Sequence, residues 1–363
     1  MRRLLTAAVF VCPVVAGVAG ATPYAQEFLA TGIGARPLGM GGAYVALVDD
    51  ASASYWNPAA LPRSHGRQAI YMHSERFGQL INYDAGAVVL RARESASGAR
   101  SAVGVGFLMV SIPDIKFNTT DPEELFQIES GLDGDFLTPD ADNSQGNGKL
   151  DGPSERINFE KWAEFVEEVT DRQLGLFLSY GRTRVLHADV SAGASVKFVR
   201  KSVGDFSAWG IGLDLGALYE LRRNWVFGAN LQDITTTFLE WSNTPSGERE
   251  YITPTVKLGT AYTREIAAIR GSVTLVADLE SRFEDEEGTT YRAGSITGDL
   301  RAGLEYWYRE TLAFRFGTER LGADTNPFTG GAGLRINRFS FDYAYLNHSD
   351  LDDVHRISGG VLF

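Results

Sequence analysis

Oxygen-bearing side chains are closely spaced in residues 140–155, DADNSQGNGKLDGPSE. Carboxylate, amide and hydroxyl oxygens that alternate around a glycine bend are the ligands of a calcium loop, and this spacing departs from the EF-hand pattern by about one residue. Two alternatives stay open, a Ca²⁺ site and a solvated acidic loop without a cofactor. The candidate ligands are Asp140, Asp142, Ser144, Asn147, Asp151 and Glu155.

The remaining chemistry-bearing residues form no catalytic pattern. The five histidines have no metal-ligand spacing. No nucleophile elbow of the form Gly-x-Ser-x-Gly and no Walker loop is present. The sequence therefore predicts that the chain is not an enzyme.

The first residues have the pattern of a cleaved signal peptide. Arg2 and Arg3 precede the apolar stretch 4–18 and the small residues 19–21. We expect cleavage after Ala21, which also removes Cys12, the only cysteine. The net charge of −12 becomes −14 when the two arginines are lost, which disfavours nucleic acid as a partner.

From residue 67 onward, apolar residues alternate with glycine or polar residues at a period of two. This period is typical of β-strands whose two faces meet different environments. In an outer-membrane barrel the apolar face meets lipid and the polar face lines the lumen. The alternative is a soluble β-protein, whose polar face meets water. The predicted lumenal charges are Lys197, Asp214, Asp278, Arg301, Glu305, Arg315, Arg335 and Asp342.

The alternating segments number fourteen, and long and short connections largely alternate between them, as in outer-membrane barrels. Ile357, Val361 and the terminal Phe363 share one strand face and resemble a barrel-assembly signal. We therefore predict an all-β, 14-stranded antiparallel transmembrane β-barrel in the bacterial outer membrane, with both ends in the periplasm. The predicted strands are 67–74, 81–92, 101–113, 172–183, 188–200, 207–220, 223–231, 253–264, 268–280, 298–308, 311–318, 329–336, 339–346 and 354–363.

The segment before the first strand is rich in glycine and ends in Trp56-Asn57-Pro58-Ala59. It resembles the N-terminus of the PorV/PorQ family of FadL-like outer-membrane proteins, whose hatch fills the barrel and carries an Asn-Pro-Ala motif. The resemblance implies an N-terminal hatch (plug) in the lumen. The residues of this hatch motif are Gly34, Arg36, Gly39, Gly41, Gly42, Asp49, Asp50, Trp56, Asn57, Pro58 and Ala59.

The hatch residues also have a physical interpretation. The three glycines Gly39, Gly41 and Gly42 allow positive φ and close packing. Asn57 followed by Pro58 predicts a helix N-cap and first position. We expect the carboxylates of Asp49 and Asp50 to meet lumenal arginines such as Arg301 or Arg315, because buried charges require partners.

These patterns divide the chain into a signal peptide (1–21), a hatch (22–66) and a barrel (67–363) that carries a large acidic extracellular loop at 119–171. Pro113 lies at the end of the predicted third strand. It interrupts the hydrogen-bond ladder there. FadL-like transporters open a lateral gate by kinking that strand. Two interpretations of Pro113 stay open, such a lateral-gate kink and a strand terminator, and we favour the terminator.

Two functions remain open. The resemblance to PorV implies a type IX secretion component that docks exported cargo and meets other secretion components. The alternative is a FadL-like passive channel for long-chain fatty acids or other small hydrophobic ligands. In either case the expected partners include outer-membrane lipid, lipopolysaccharide and the barrel assembly machinery.

Overall fold

The computed structural model describes residues 27–76, 80–118, 129–130, 156–157, 166–242, 249–283, 289–323, 327–347 and 353–363. The expected signal peptide and the expected calcium ligands between Asp140 and Glu155 lie outside these described residues.

Nineteen strands follow one another along the described chain. They are β1 (Gln68–Arg76), β2 (Ile81–Glu94), β3 (Arg100–Asn118), β4 (Glu129–Ser130), β5 (Arg156–Ile157), β6 (Val166–Thr183), β7 (Val190–Val203), β8 (Phe206–Arg222), β9 (Trp225–Gln232), β10 (Thr237–Ser242), β11 (Arg249–Ile252), β12 (Thr255–Ile266), β13 (Gly271–Arg282), β14 (Tyr291–Ala293), β15 (Ile296–Tyr308), β16 (Leu312–Thr318), β17 (Phe328–Ile336), β18 (Phe339–Leu346) and β19 (Val354–Leu362).

Fourteen of these strands form a closed antiparallel barrel, which confirms the predicted number. The five strands outside this set are β4, β5, β10, β11 and β14. Each barrel strand pairs with the next one along the chain, and β1 closes the barrel by pairing with β19 from Gln68↔Leu362 to Glu75↔His355. Closure matters because no barrel strand is then left with an unpaired edge in lipid.

Three short strands, β10, β11 and β14, lie in segments that the sequence predicts to be loops between strands. β8 is longer than its neighbour β9, and β10 pairs with the end of β8 through Glu240↔Trp209. β11 then pairs with β10, and β14 pairs with the first residues of β15. These additions extend the ladder at the long-connection end of the barrel.

The two faces of the strands differ as an outer-membrane barrel requires. In β8 the side chains of Trp209, Ile211 and Leu215 point outward and are exposed, whereas Asp214 and Leu218 point inward and are buried. Apolar residues therefore cover the outside of the barrel, where lipid lies. Within the described residues, no helix is long and apolar enough to span a membrane.

The segment before β1 lies inside the barrel. It contains three helices of four residues, α1 (Glu27–Ala30), α2 (Ala35–Leu38) and α3 (Ala53–Trp56), followed by a 3₁₀ helix from Pro58 to Arg63. Most of its side chains are buried against inward-facing strand residues. This segment is the hatch, and its helices are too short to be stable without that packing.

Residues from Ile112 to Asp171 form a second compact unit. Its described part holds the pair β4–β5 and the adjoining ends of β3 and β6.

The interpretation of Pro113 as a terminator is wrong, because β3 continues through it to Asn118. The described register of β3 with β2 ends at Ser111, before the position of Pro113, which has no backbone N–H to donate. Likewise, β6 begins at Val166, inside the segment expected to be loop.

Candidate functional site

Two hatch glycines fit against the barrel wall where no side chain has room. Gly41 and Gly42 have φ of 66° and 71°. A Cβ on Gly41 would lie 2.2 Å from the carbonyl oxygen of Thr318 in β16, and one on Gly42 would lie 2.5 Å from the guanidinium of Arg301. Gly39 differs from expectation, because its φ is −66° and only its close packing requires glycine.

Asn57 fastens the hatch to several backbone groups at once. Its side-chain oxygen accepts a hydrogen bond from the backbone N–H of Ala59, which confirms the predicted N-cap before Pro58. Its amide group donates to the carbonyl of Val45 within the hatch at 3.0 Å and to the wall carbonyl of Ala217 at 3.2 Å. One side chain therefore joins two parts of the hatch to the barrel.

Glycines in the wall complement this motif. A Cβ at Gly193 would lie 2.4 Å from the carbonyl carbon of Pro58, and one at Gly216 would lie 2.2 Å from the side chain of Asn57. The Asn-Pro-Ala turn thus fits against a strip of wall that lacks side chains.

An aromatic cluster forms the centre of the hatch. Trp56 contacts Tyr44 and Tyr55 edge to face, with ring centroids 5.9 Å and 5.0 Å apart. The indole N–H of Trp56 donates to the carbonyl of Ile33 at 2.8 Å. These side chains are nearly inaccessible to solvent, and together with other buried residues such as Ile33 and Leu61 they form the hydrophobic core of the hatch.

Charged side chains then link the hatch to the wall. Arg36 in α2 binds Glu305 of β15 through two hydrogen bonds of 2.8 Å. Arg315 of β16 binds the same carboxylate at 2.7 Å and Asp342 at 2.7 Å. The bidentate geometry is the strong form of such a pair, and each buried charge has an opposite charge beside it.

The expected partners of the hatch carboxylates differ from those observed. Asp49 pairs with Arg36, within the hatch, rather than with Arg301 or Arg315. Asp50 lies beside it and accepts hydrogen bonds from Ser52 and from the hydroxyl of Tyr44. Burial, together with the neighbouring Asp49 carboxylate, raises the pKa of the Asp50 carboxyl above its ordinary value.

A second ion cluster lies in the wall strands β12, β13 and β15. Glu280 contacts Lys257 at 3.4 Å, Arg282 at 2.8 Å and Arg301 at 3.1 Å. Arg282 also contacts Asp299 at 3.3 Å. Only Arg301 of this cluster is among the predicted lumenal charges, although the other four residues also lie on the inward-facing positions of their strands.

The other predicted lumenal charges bind neighbours in different ways. Asp214 contacts Lys197 at 3.3 Å, and Lys197 also contacts Asp233 at 2.7 Å. Asp278 accepts hydrogen bonds from the backbone N–H groups of Tyr44 and Val45 in the hatch.

Arg335 lies at the short-turn end of the barrel, where it is exposed. Its guanidinium covers the ring of Trp307, with its central carbon 4.3 Å from the ring centroid.

Two cavities that the described residues line border the hatch. The larger, about 320 Å³, opens at the short-turn end and is lined by hatch residues such as Arg36 and Asp50 and by wall residues such as Trp307 and Phe339. The smaller, about 20 Å³, has room for about one water molecule and is lined by Tyr55 among others. Neither is an apolar tunnel, since charged residues line both.

The residues of the predicted assembly signal lie in β19 or directly after it. Ile357 and Phe363 are exposed on the outer face, and Val361 is partly exposed there.

The described residues contain no group of three or more His, Cys, Asp or Glu side chains that could hold a metal ion. The expected calcium ligands lie outside those residues, so Ca²⁺ stays a prediction.

Comparison with protein-family profiles gives no match, and comparison with curated protein sequences gives none either. Solved structures do match. The toluene transporter TbuX of Ralstonia pickettii is 14% identical, and the match covers 92% of this chain and 98% of that one with a TM-score of 0.52. The monoaromatic hydrocarbon channel CymD is 13% identical, with 92% and 98% coverage and a TM-score of 0.56. The Pseudomonas putida toluene transporter TodX is 15% identical, with 91% and 97% coverage and a TM-score of 0.51. The chain therefore has the β-barrel fold of these three proteins.

Proposed function

We propose that this barrel is a passive channel that admits small hydrophobic compounds through the outer membrane. The observation that carries the proposal is the shared architecture, a fourteen-stranded barrel with an N-terminal hatch, which extends over more than nine-tenths of this chain and of hydrocarbon channels. Monoaromatic hydrocarbons and long-chain fatty acids are the substrate classes to examine first.

Passage through the lumen would require the hatch to move. Hatch residues such as Ile33, Met40 and Tyr44 have no accessible surface, and the ion pairs of Arg36 connect the hatch to the wall. Neither described cavity provides an apolar path past these residues. We infer that uptake depends on displacement of the hatch, or on an exit through the wall near Pro113, where β3 lacks one backbone donor.

A reversible covalent lock tests this proposal. The mature chain is expected to contain no cysteine, so introduced thiols pair only with each other. A Cβ at Gly106 in β3 would lie 3.3 Å from the Cβ of Ser54 in α3, near the roughly 3.5–4.5 Å of natural disulfides. The full chain with Ser54→Cys and Gly106→Cys is expressed in a bacterial outer membrane, and uptake of radiolabelled toluene and oleate is measured before and after reduction.

We expect the oxidised variant to take up neither compound, and reduction to restore uptake. The single variant Ser54→Cys is the control, because it cannot form the lock. Wild-type uptake equal to that of cells without the protein would refute the channel function. Uptake that is present in wild type and unchanged in the oxidised variant would instead show that the substrate does not pass the hatch.

A second candidate is a docking protein of the PorV type. The close fit of the hatch, with buried charges paired between hatch and wall, favours a permanently closed barrel that acts through its outer surface. Purification of a loop-tagged chain from its own outer membrane in mild detergent separates the candidates. Stoichiometric recovery of exported proteins that share a C-terminal domain would support docking, whereas bound apolar small molecules would support the channel.

A further inference from the structure

Arginine is concentrated at the short-turn end of the barrel. At this end, each of the six connections β2–β3, β6–β7, β8–β9, β12–β13, β15–β16 and β17–β18 has an exposed arginine in it or directly beside it. We call these residues the turn arginines: Arg100, Arg184, Arg223, Arg270, Arg309 and Arg338. They are distributed around the whole circumference of the rim.

Four further arginines lie on the outer wall just inside this rim. These wall arginines are Arg93, Arg182, Arg222 and Arg264, and all four are exposed. Inward-facing residues alternate with them. Gly181, for example, precedes Arg182 and packs on the hatch residue Pro58. The turn arginines and wall arginines together form the arginine ring.

Aromatic residues lie beside the wall arginines. Arg222 is directly opposite Trp225 in the β8–β9 ladder. Tyr180 and Tyr262 precede Arg182 and Arg264 by two positions, on the same outer face. Aromatic side chains beside cationic ones are typical of the boundary between the hydrocarbon core and the lipid headgroups.

Among the described residues, the ten arginines of the ring outnumber the carboxylates in the same connections. None of its ten members forms an ion pair among the residues that the structure describes. The same connections hold five exposed carboxylate residues, Glu94, Asp189, Glu220, Glu265 and Glu310. This excess of positive charge at one end of a chain with a net charge of −12 attracts external anions.

The type of cation identifies the anion. All six lysines of the chain lie elsewhere, at 116, 149, 161, 197, 201 and 257. Arginine is the side chain that binds phosphate through two parallel hydrogen bonds and that stacks on aromatic rings. Arg309 and Arg338 already cover the rings of Tyr308 and Phe339, at 5.3 Å in each case.

We propose that the arginine ring binds the phosphate groups of anionic phospholipids in the inner leaflet of the outer membrane. A lipid leaflet surrounds the barrel on all sides, as the turn arginines do, whereas a protein partner would cover one sector. The wall arginines lie at the edge of the apolar exterior, which is the level of the phosphates. Contacts around the whole rim fix the depth of the barrel in the membrane, and this role is independent of what the lumen carries.

Direct lipid binding tests the proposal. The full chain is delipidated in detergent and titrated with dioleoylphosphatidylglycerol or, for comparison, with zwitterionic dioleoylphosphatidylcholine, and bound lipids are counted by native mass spectrometry. We expect wild type to prefer phosphatidylglycerol. The triple variant Arg182→Gln, Arg222→Gln, Arg264→Gln should lose affinity by up to about fivefold for each arginine removed.

The matched control removes three arginines from the opposite end, Arg200→Gln, Arg249→Gln and Arg292→Gln. Folding of each variant is checked by its resistance to SDS before heating. Equal affinity of wild type and the wall-arginine variant would overturn the proposal, as would an equal loss in the control variant. The proposal would also be overturned if the wild-type barrel did not prefer phosphatidylglycerol and instead bound an acidic periplasmic protein.

Discussion

Single side chains hold the hatch in place through charge. Arg36 belongs to the hatch and Glu305 to the wall, and both side chains are buried. Removal of one partner from such a pair leaves a buried charge uncompensated, which costs more than the pair contributes. In this case Arg315 still compensates part of the charge on Glu305.

Replacement of Arg36 by methionine should therefore destabilise the protein. We expect Arg36→Met to lower the free energy of unfolding by about 3 kcal/mol, measured by urea titration of the protein refolded in lipid vesicles. Arg335→Met is the control, because Arg335 is exposed and has no ion pair among the described residues. Equal effects of the two substitutions would show that the lumenal pair does not hold the hatch.

The sequence predicts which residues face the lumen but not how they pair. Period-two alternation assigns Glu305 and Arg315 to the inner face, because it depends only on the chain itself. The partner of Asp49 depends on how the hatch is folded and on the register of strands far away in sequence. Arg301 and Arg315 were reasonable candidates, but the nearer Arg36 forms the contact.

The strands are determined by the local sequence pattern, whereas the helices of the hatch depend on the wall around them. The strands follow from alternation, and their observed ends differ from the predicted ones by a few residues, except at β3 and β6. The short strands β10, β11 and β14 could not be predicted, since they form only where a longer neighbour offers unpaired backbone groups.

A matched pair of glycine substitutions measures how closely the hatch fits the wall. Gly41 and Gly294 have nearly the same φ, 66° and 67°, but a Cβ on Gly41 meets Thr318 whereas one on Gly294 meets nothing within 4 Å. Both alanine variants share the backbone strain, so their difference isolates the clash. We expect Gly41→Ala to lower the unfolding free energy by about 2 kcal/mol more than Gly294→Ala does.

Heat-induced loss of the compact form on SDS gels provides the measurement for this pair, with chemical unfolding as a second method. A difference near zero would mean that the hatch shifts at no cost, and it would favour a mobile hatch. Increased uptake of toluene by Gly41→Ala would favour the same conclusion.

At the scale of the whole molecule, each surface matches one environment. Apolar side chains cover the barrel outside, paired charges fill the lumen, and arginines encircle the short-turn end. The segment 121–170, most of which lies outside the described residues, holds fourteen acidic residues against three basic ones. Such a division explains how a chain with 22% charged residues spans a membrane.

The apolar exterior leads to a prediction that depends on depth. Leu215 lies near the middle of β8 with 40% of its surface exposed, and Leu186 is fully exposed in a short turn. Arginine near the bilayer midplane costs about 2–4 kcal/mol, whereas near the interface it costs about 0–1 kcal/mol. We therefore expect Leu215→Arg to lower the unfolding free energy in lipid vesicles by that larger amount, and Leu186→Arg to leave it nearly unchanged. Because each substitution adds the same charge to an exposed leucine, equal costs would mean that β8 does not face lipid, and the orientation of the barrel wall would have to be reversed.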